Sequence, residues 1–393
     1  MSATKVGVGI SESAESQTAA LNAVRQAMEH AGLTRAAWAL CFFTTDHLSL
    51  ADVIHRVVME ESGCLSLAGC TARGVLGDGL EVEGRPGIVV MVGASTAIEA
   101  KSRLLGRTTS ELGVFSQAPT REKGERLVLA MPDAYRVDNQ ELVKRLDETL
   151  PGTPVFGAGS SDDGNLGMCL QLGMEGVHSG AISMMGLYGD MKVRVGITQS
   201  CQPVGQPRFI TRAKDYVLVE LDGQPALKGF IEQGKELGLG DMQIASQSLM
   251  FGFPLDPENP SFKGEDCVVQ ALAGFDQDTK GLIIPHIMRE RQTMGFMHRN
   301  PEKARMDVSR MATELAEKLE QDGEKPHFGF YFNCLGRGEG LYGKSGVDLE
   351  IIHNILGDFP LAGMFGGFEM ATTHDTHLVY TYSGVLVLVT VKD

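Results

Sequence analysis

One pattern recurs three times along the chain and constrains its fold more than any other feature. The unit is an apolar strand, a loop, a helix, a short strand ending near a glycine, a polar turn, and a glycine-led apolar strand. The first copy runs through 39–43, a helical stretch at 50–61, CLSLAG ending at Gly69, and GIVVMV from Gly87. The second runs through 127–130, a helix at 139–149, TPVFG ending at Gly157, and GAISMMG from Gly180. The third runs through 328–332, a helix at 347–356, FPLAG ending at Gly363, and GVLVLV from Gly384. The two glycines of each copy stand 18, 23 and 21 residues apart, so the order and the spacing both recur. Strands alternating with helices read as an α/β chain, and self-similarity reads as a repeated supersecondary unit. The repeat predicts three turns with similar local roles, at 69–74, 157–164 and 363–369.

The apolar runs are short and mixed in pattern, so a regular doubly wound sheet is not expected. We expect α/β architecture: mixed, strand-rich sheets with helices on the outer faces, in two intimately packed modules. KVGVGI at 5–10 reads as a strand, and a helix over 17–31 follows, ending at Gly32 as helices often do. The segment 199–211 holds two prolines and no clear period, which makes it the best domain boundary. The expected domains are 1–213 and 214–393. Proline at 225 suits the first turn of a helix, and Asn300 suits the cap of the longest helical pattern, 301–321.

Charge excludes several function classes. Of the 393 residues, 35 are Lys or Arg and 50 are Asp or Glu, a formal net charge of −15. A nucleic-acid binder needs a basic face, and an anionic membrane surface repels this balance. The longest apolar runs, such as 385–391, are strand-length, far short of the roughly 20 residues a spanning helix needs. The first residues lack the basic-then-apolar order of a signal peptide. Seven cysteines without paired spacing fit reduced thiols, and a cytoplasmic location is expected.

The segment 333–345, NCLGRGEGLYGKS, is the richest in chemistry. From Gly338 to Ser345 it matches G-x-x-x-x-G-K-[ST], the phosphate-cradling loop of nucleotide hydrolases. The context argues against that reading. The lysine and serine should open the helix, yet Gly346 follows and a cap-like Asp348 restarts it. The strand also ends several residues before Gly338. We therefore expect Lys344 not to contact a nucleotide. Arg337, between Gly336 and Gly338, can take a carboxylate with both arms of its fork, and glycines allow close backbone approach. Glu369, Asp162 or Asp163 can accept from an ammonium, so one cation and one or two anions on separate loops suit a zwitterion. Ser160 and Ser161, beside Gly157, offer hydroxyls or satisfy their own turn. Arg73 follows Gly69 at the place Asp162 holds in the second copy, and reads as a ligand contact or a surface charge.

Cys70 and Cys334 are the reactive-thiol candidates, with His47, His374 and His377 as possible bases. No local catalytic signature accompanies them, and buried inert thiols are the competing reading. His374 and His377, three apart on a strand, point to opposite faces and do not suit one metal ion. No cofactor and no metal is expected.

Five stretches carry a family resemblance. NCLGRGEGLYG, followed about twenty residues on by PLAGMFGGFEM, is similar to the C-terminal part of the FIST family, the F-box and intracellular signal transduction proteins. TRAKDYVLVELDGQPAL resembles the join between that family's N- and C-terminal domains, while GCTARGVL and PVFGAGSSDDG resemble its N-terminal glycine-centred strand ends. The chain departs from the family at Gly367–Ala371, where a Gly-Glu-Ile-Gly-Pro-like run is usual. The resemblance implies a cytoplasmic sensory module for small ligands, amino acids or their derivatives, working in signalling. The chain carries no F-box, kinase, cyclase or receiver segment, so output through a separate protein partner is expected. Three functions remain in contention: a non-catalytic sensor, a thiol-dependent hydrolase or transferase using Cys70 or Cys334, and an interaction scaffold. A cleft joining the glycine turns to Arg337 and Glu369 favours the first, a Cys–His pair the second, and a broad apolar patch the third.

Overall fold

Alternating burial and well-capped helices account for the local structure. A computed structural model describes residues 4–106, 124–162, 164–256 and 258–391. The helix Ser16–Ala31 starts where the Glu15 carboxylate accepts from the N–H groups of Gln17 and Thr18, and stops at Gly32 in the left-handed conformation. The helix Pro301–Asp322 starts where Asn300 Oδ1 accepts from Glu302 and Lys303, each at 3.0 Å. Trp38–Thr44 is buried at every position, as a central strand covered on both faces requires.

The chain divides into two compact units. The first takes Met1–Ile197 and Ser309–Asp393; the second takes Thr198–Val308. The expected break at 213 falls inside the second unit, within the strand Cys201–Lys214, which pairs antiparallel with Val217–Leu221. Prolines 203 and 207 mark a long strand, not a linker: register shifts between Val204 and Arg208 absorb the local irregularity.

In the first unit each copy of the repeat builds one six-stranded sheet. Trp38–Thr44 pairs parallel with Leu67–Ala72 and antiparallel with Ile88–Ala94. Glu125–Pro132 does the same with Val155–Ala158 and Ile182–Gly189. Phe328–Cys334 does the same with Leu361–Gly366 and Ser383–Val391. The repeat glycine is the third residue of its strand each time. Gly69 stands opposite Cys41, Gly157 opposite Ala130, and Gly363 opposite Tyr331. A Cβ there would lie 1.8–1.9 Å from the partner's carbonyl oxygen, so no other residue fits.

After that strand the chain leaves its own sheet. The hairpin Gly74–Gly77 with Leu80–Glu83 adds to Leu361–Gly366 of the third sheet. The hairpin Gln171–Gly173 with Gly176–His178 adds to Leu67–Ala72 of the first. The hairpin Glu369–Thr373 with Thr376–Tyr380 adds to Val155–Ala158 of the second. Each copy thus lends a hairpin to another in a closed cycle. One face of each sheet meets a shared apolar core, which includes Leu40 and Phe42, Leu127 and Leu129, and Phe330 and Phe332.

The second unit is a mixed-length antiparallel sheet around Leu249–Pro254, Thr293–Arg299 and Cys201–Lys214. Its core stacks Phe230 on Phe251, with Phe296 against both. The helix Ala226–Glu236 begins just after Pro225, as its sequence predicts. Among the described residues no helix is long and apolar enough to cross a membrane.

Candidate functional site

The three chain crossings converge, and one side chain together with backbone groups stitches them together. Ser161 Oγ accepts from the Arg73 backbone N–H at 2.9 Å and donates to the Phe365 carbonyl at 2.6 Å. Gly159 N–H donates to the Phe368 carbonyl, and Gly367 N–H to the Gly159 carbonyl. The repeat therefore places its three turns together, one from each copy. Cys70 at the first turn, Gly157 and Ser160–Asp162 at the second, and Glu369 at the third belong to this junction or its immediate neighbours.

Most of these groups are committed to the fold. Ser160 Oγ donates to the Pro132 carbonyl and accepts from Gln171 Nε2. Asp162 is 2% exposed. Burial opposes its ionisation, but the Tyr135 hydroxyl and the N–H groups of Gly164, Leu166 and Gly167 outweigh it and hold the carboxyl below its ordinary range. Asp163 lies outside the described residues. Arg73 is exposed, and its backbone N–H meets Ser161.

Arg337 does not offer the open fork expected from the sequence. It is fully buried, and its guanidinium meets Asp348: Nε to Oδ2 at 3.1 Å, and Nη2 to both carboxylate oxygens at 3.0–3.1 Å. Tyr331, Asn333 and Tyr342 also donate to Asp348, at 2.8, 3.1 and 2.7 Å. Asp348 is thus not the cap of the helix Val347–Leu356 but the acceptor at the centre of a buried network. Its neighbours Gly336 and Gly338 likewise serve the fold. A Cβ on Gly336 would meet the Tyr382 ring at 2.9 Å, and one on Gly338 the Glu83 carboxylate at 2.2 Å. Lys344 sits in the turn after the short helix Glu339–Tyr342 and faces Glu350 at 3.5 Å in solvent. The lysine does not open a helix, which is what the phosphate-cradling geometry demands.

The thiols are poorly placed for nucleophilic chemistry. Burial pushes Cys70 well above its ordinary value, and its Sγ lies 3.4 Å from Met364 Sδ. Burial, then the nearby Glu369 charge, pushes Cys334 up too, and its sulfur accepts the Tyr382 N–H at 3.2 Å. A nucleophile needs the opposite shift. Among the described residues no histidine pairs with either thiol. His47 meets Ser16 Oγ at 2.9 Å. His374 is not on a strand: with Asp375 it forms the two-residue turn of a hairpin, both at positive φ. His377 is buried between Asp147 and the Thr153 carbonyl.

Glu369 is fully buried. Ser383 donates its hydroxyl at 2.6 Å to Oε2, and Oε1 has no hydrogen-bond partner. Burial raises its pKa from 4.5 to about 8, against the hydrogen bonds from Ser383. A carboxyl raised on folding stabilises the protein fully below its unfolded pKa, and that stability is lost as pH rises through the folded value. Glu369 therefore weakens the fold progressively between about pH 4.5 and 8. Glu369→Gln should remove up to about 1.4 kcal/mol per pH unit of that slope and leave the variant more stable than the parent above pH 8. Melting curves from pH 5 to about 9 check this; parallel curves for the two proteins would contradict it. Glu81, also raised to about 8 by burial and then by Asp348, keeps a residual slope in the variant.

The sequence did not reveal the apolar rim of the junction. Tyr135 and Leu166 are each 51% exposed, Met168 and Leu335 each 38%. Three of them attach directly to the crossings. Tyr135 and Leu166 hydrogen-bond to Asp162, and Leu335 N–H donates to the Gly366 carbonyl. Single apolar residues in turns carry no periodic signal.

The FIST N domain model matches residues 37–224 and the FIST C domain model residues 231–372. The chain belongs to the FIST family. FIST domains are sensory domains of signal transduction. The chain is 27% identical to uncharacterized protein Rv0628c of Mycobacterium tuberculosis over 98% of its own length and 99% of the relative's. It is 25% identical to uncharacterized protein Mb0898c of Mycobacterium bovis, over 98% of each. This FIST chain thus aligns with both relatives nearly end to end. The swapped hairpins tie together the segments that the two models match. The hairpin at 74–83 completes a sheet at 361–366, and the hairpin at 369–380 completes one at 155–158.

Proposed function

We propose that this FIST protein senses a small amino-acid-like acid at the junction of its three chain crossings, without catalysis. A separate signalling protein then reads the ligand-bound state. The observation that carries the reading is the Ser161 bridge, which joins turns from all three copies. Arg73 supplies a guanidinium for a carboxylate, and Tyr135, Leu166, Met168 and Leu335 supply apolar contact for the rest of the ligand. A ligand touching several crossings favours one arrangement of the copies over others, which is what a sensor requires.

A thermal-shift screen of the amino acids and small carboxylic acids tests the proposal. A ligand at 100 times its Kd should stabilise by about 2.7 kcal/mol and raise Tm by several degrees. Arg73→Ala should weaken binding about tenfold or more, and Arg73→Glu should abolish it. Arg73→Ala should melt close to the parent when no ligand is present, because an exposed arginine's surface contacts contribute little. The proposal fails if no acid shifts the parent, or if Arg73→Glu binds the hit unchanged.

A further inference from the structure

The strand Leu80–Glu83 lies at the edge of the third sheet, paired with Gly74–Gly77 of its own hairpin. Its side chains alternate. Val82 is buried in the shared core, so Glu81 and Glu83, two residues apart, share the other face. Both carboxylates dock on the segment that matches the phosphate-cradling pattern. Glu83 Oε1 accepts from the Glu339 N–H at 2.9 Å, and Glu81 Oε2 accepts from the Gly346 N–H at 2.7 Å. The first copy's hairpin thus fills, with the chain's own carboxylates, backbone N–H groups near both ends of that segment.

The two docked carboxyls are not alike. Glu81 is 1% exposed, and its Oε1 has no hydrogen-bond partner. Asp348 on the helix Val347–Leu356 and Glu83 on its own strand face it, and Tyr342 on the short helix feels its charge. Glu83 in turn has Arg73 on one side and Glu339 on the other. Arg337 is the buried cation of this cluster, and it is already committed to Asp348. An ionised Glu81 beside that pair is a buried charge without a counterion. The docked strand therefore holds Glu81 in its protonated form. Burial, then Asp348, raises its pKa from 4.5 to about 8. An undocked strand returns the carboxyl to water and to its ordinary value.

We propose that Glu81 is a proton-held clasp: the edge strand Leu80–Glu83 stays on the third copy's loop while Glu81 keeps its proton, and comes away when it ionises. Release uncovers the edge of Gly74–Gly77 and frees the N–H groups of Glu339 and Gly346. One change of charge then biases an element that has two positions, as a pH-responsive switch requires. The sign follows from the shift. The docked form binds the proton more tightly, so docking is strongest below about pH 4.5. Its equilibrium constant falls about tenfold per pH unit above that and levels off beyond about pH 8.

Amide hydrogen exchange of the full chain from about pH 6 to about pH 9, corrected for the intrinsic rate, tests the proposal. Peptides covering 74–83 and 338–349 should lose protection together, about tenfold per pH unit up to about pH 8 and little beyond. The central strand Trp38–Thr44 should stay the better protected throughout, because only the edge opens. Glu81→Gln keeps the shape and the acceptor for Gly346 but cannot ionise, so it should remove most of the pH dependence from both peptides. Glu83→Gln should keep it. The paired loss in the two peptides is read in the parent, so it stands whether or not a variant folds. Protection that does not change with pH in either peptide overturns the proposal. So does a full slope in Glu81→Gln, a slope removed by Glu83→Gln alone, or equal exchange at the edge and in the central strand.

Discussion

Asp348→Ala should destabilise the protein by about 3–5 kcal/mol, the cost of stranding a buried charge. The substitution leaves the Arg337 guanidinium without its main partner and takes the acceptor away from Tyr331, Asn333 and Tyr342. None of these groups reaches solvent: Arg337, Tyr331 and Asn333 are fully buried. Arg337→Ala strands the carboxylate instead and should cost a similar amount. Arg337→Lys keeps the charge but not the fork that meets both carboxylate oxygens, so an intermediate loss is expected. Replacing the pair together, Arg337→Met with Asp348→Leu, should recover much of the loss, because an apolar pair has no charge to desolvate. Urea unfolding at neutral pH measures all four. Single variants as stable as the parent would show that the network contributes no net stability. The same series separates a structural arginine from a ligand-binding one, since a structural role lowers stability with no ligand present.

Alanine at Gly69, Gly157 or Gly363 should be tolerated even less well. The added Cβ would sit 1.9, 1.9 and 1.8 Å from the carbonyl oxygens of Cys41, Ala130 and Tyr331. Those carbonyls belong to the neighbouring parallel strand, at the centre of a sheet packed on both faces, so neither strand can move aside. Overpacking a core by one methyl costs about 1–3 kcal/mol where side chains absorb it; here only backbone is available, and about 3 kcal/mol or more is expected. The three variants should behave alike, giving little soluble protein or a large fall in Tm. Gly340→Ala is the control: nothing lies within 4 Å of its Cβ, and alanine favours the helix Glu339–Tyr342. If one of the three repeat glycines accepts alanine at no cost, the copies are not equivalent and the shared role assigned to them is wrong for that copy.

Much of the candidate site was not legible before folding, for identifiable reasons. Arg337 among glycines has the composition of an anion-binding loop. Whether its fork faces solvent or Asp348, eleven residues on, depends on how the loop closes on its own helix. Asp348 at a helix start reads as a cap, because capping is local, whereas its actual donors are set by strand Phe328–Cys334 and the loop after it. The meeting of the second and third crossings, where Ser161 donates to the Phe365 carbonyl, joins segments 204 residues apart in the chain.

By itself the sequence determined the elements, their order and the threefold repeat. Strand and helix periodicity, Gly32 past a helix end and Asn300 before a helix start are local effects, expressed within a few residues of where they are written. It also marked Gly69, Gly157 and Gly363, although not the carbonyl each one must admit. Tertiary structure alone decided that each copy gives its hairpin away. A hairpin's hydrogen-bonding edge fits any strand edge of matching register, so its own residues do not say which sheet receives it. Closing that cycle is what brings Ser161 between Arg73 and Phe365.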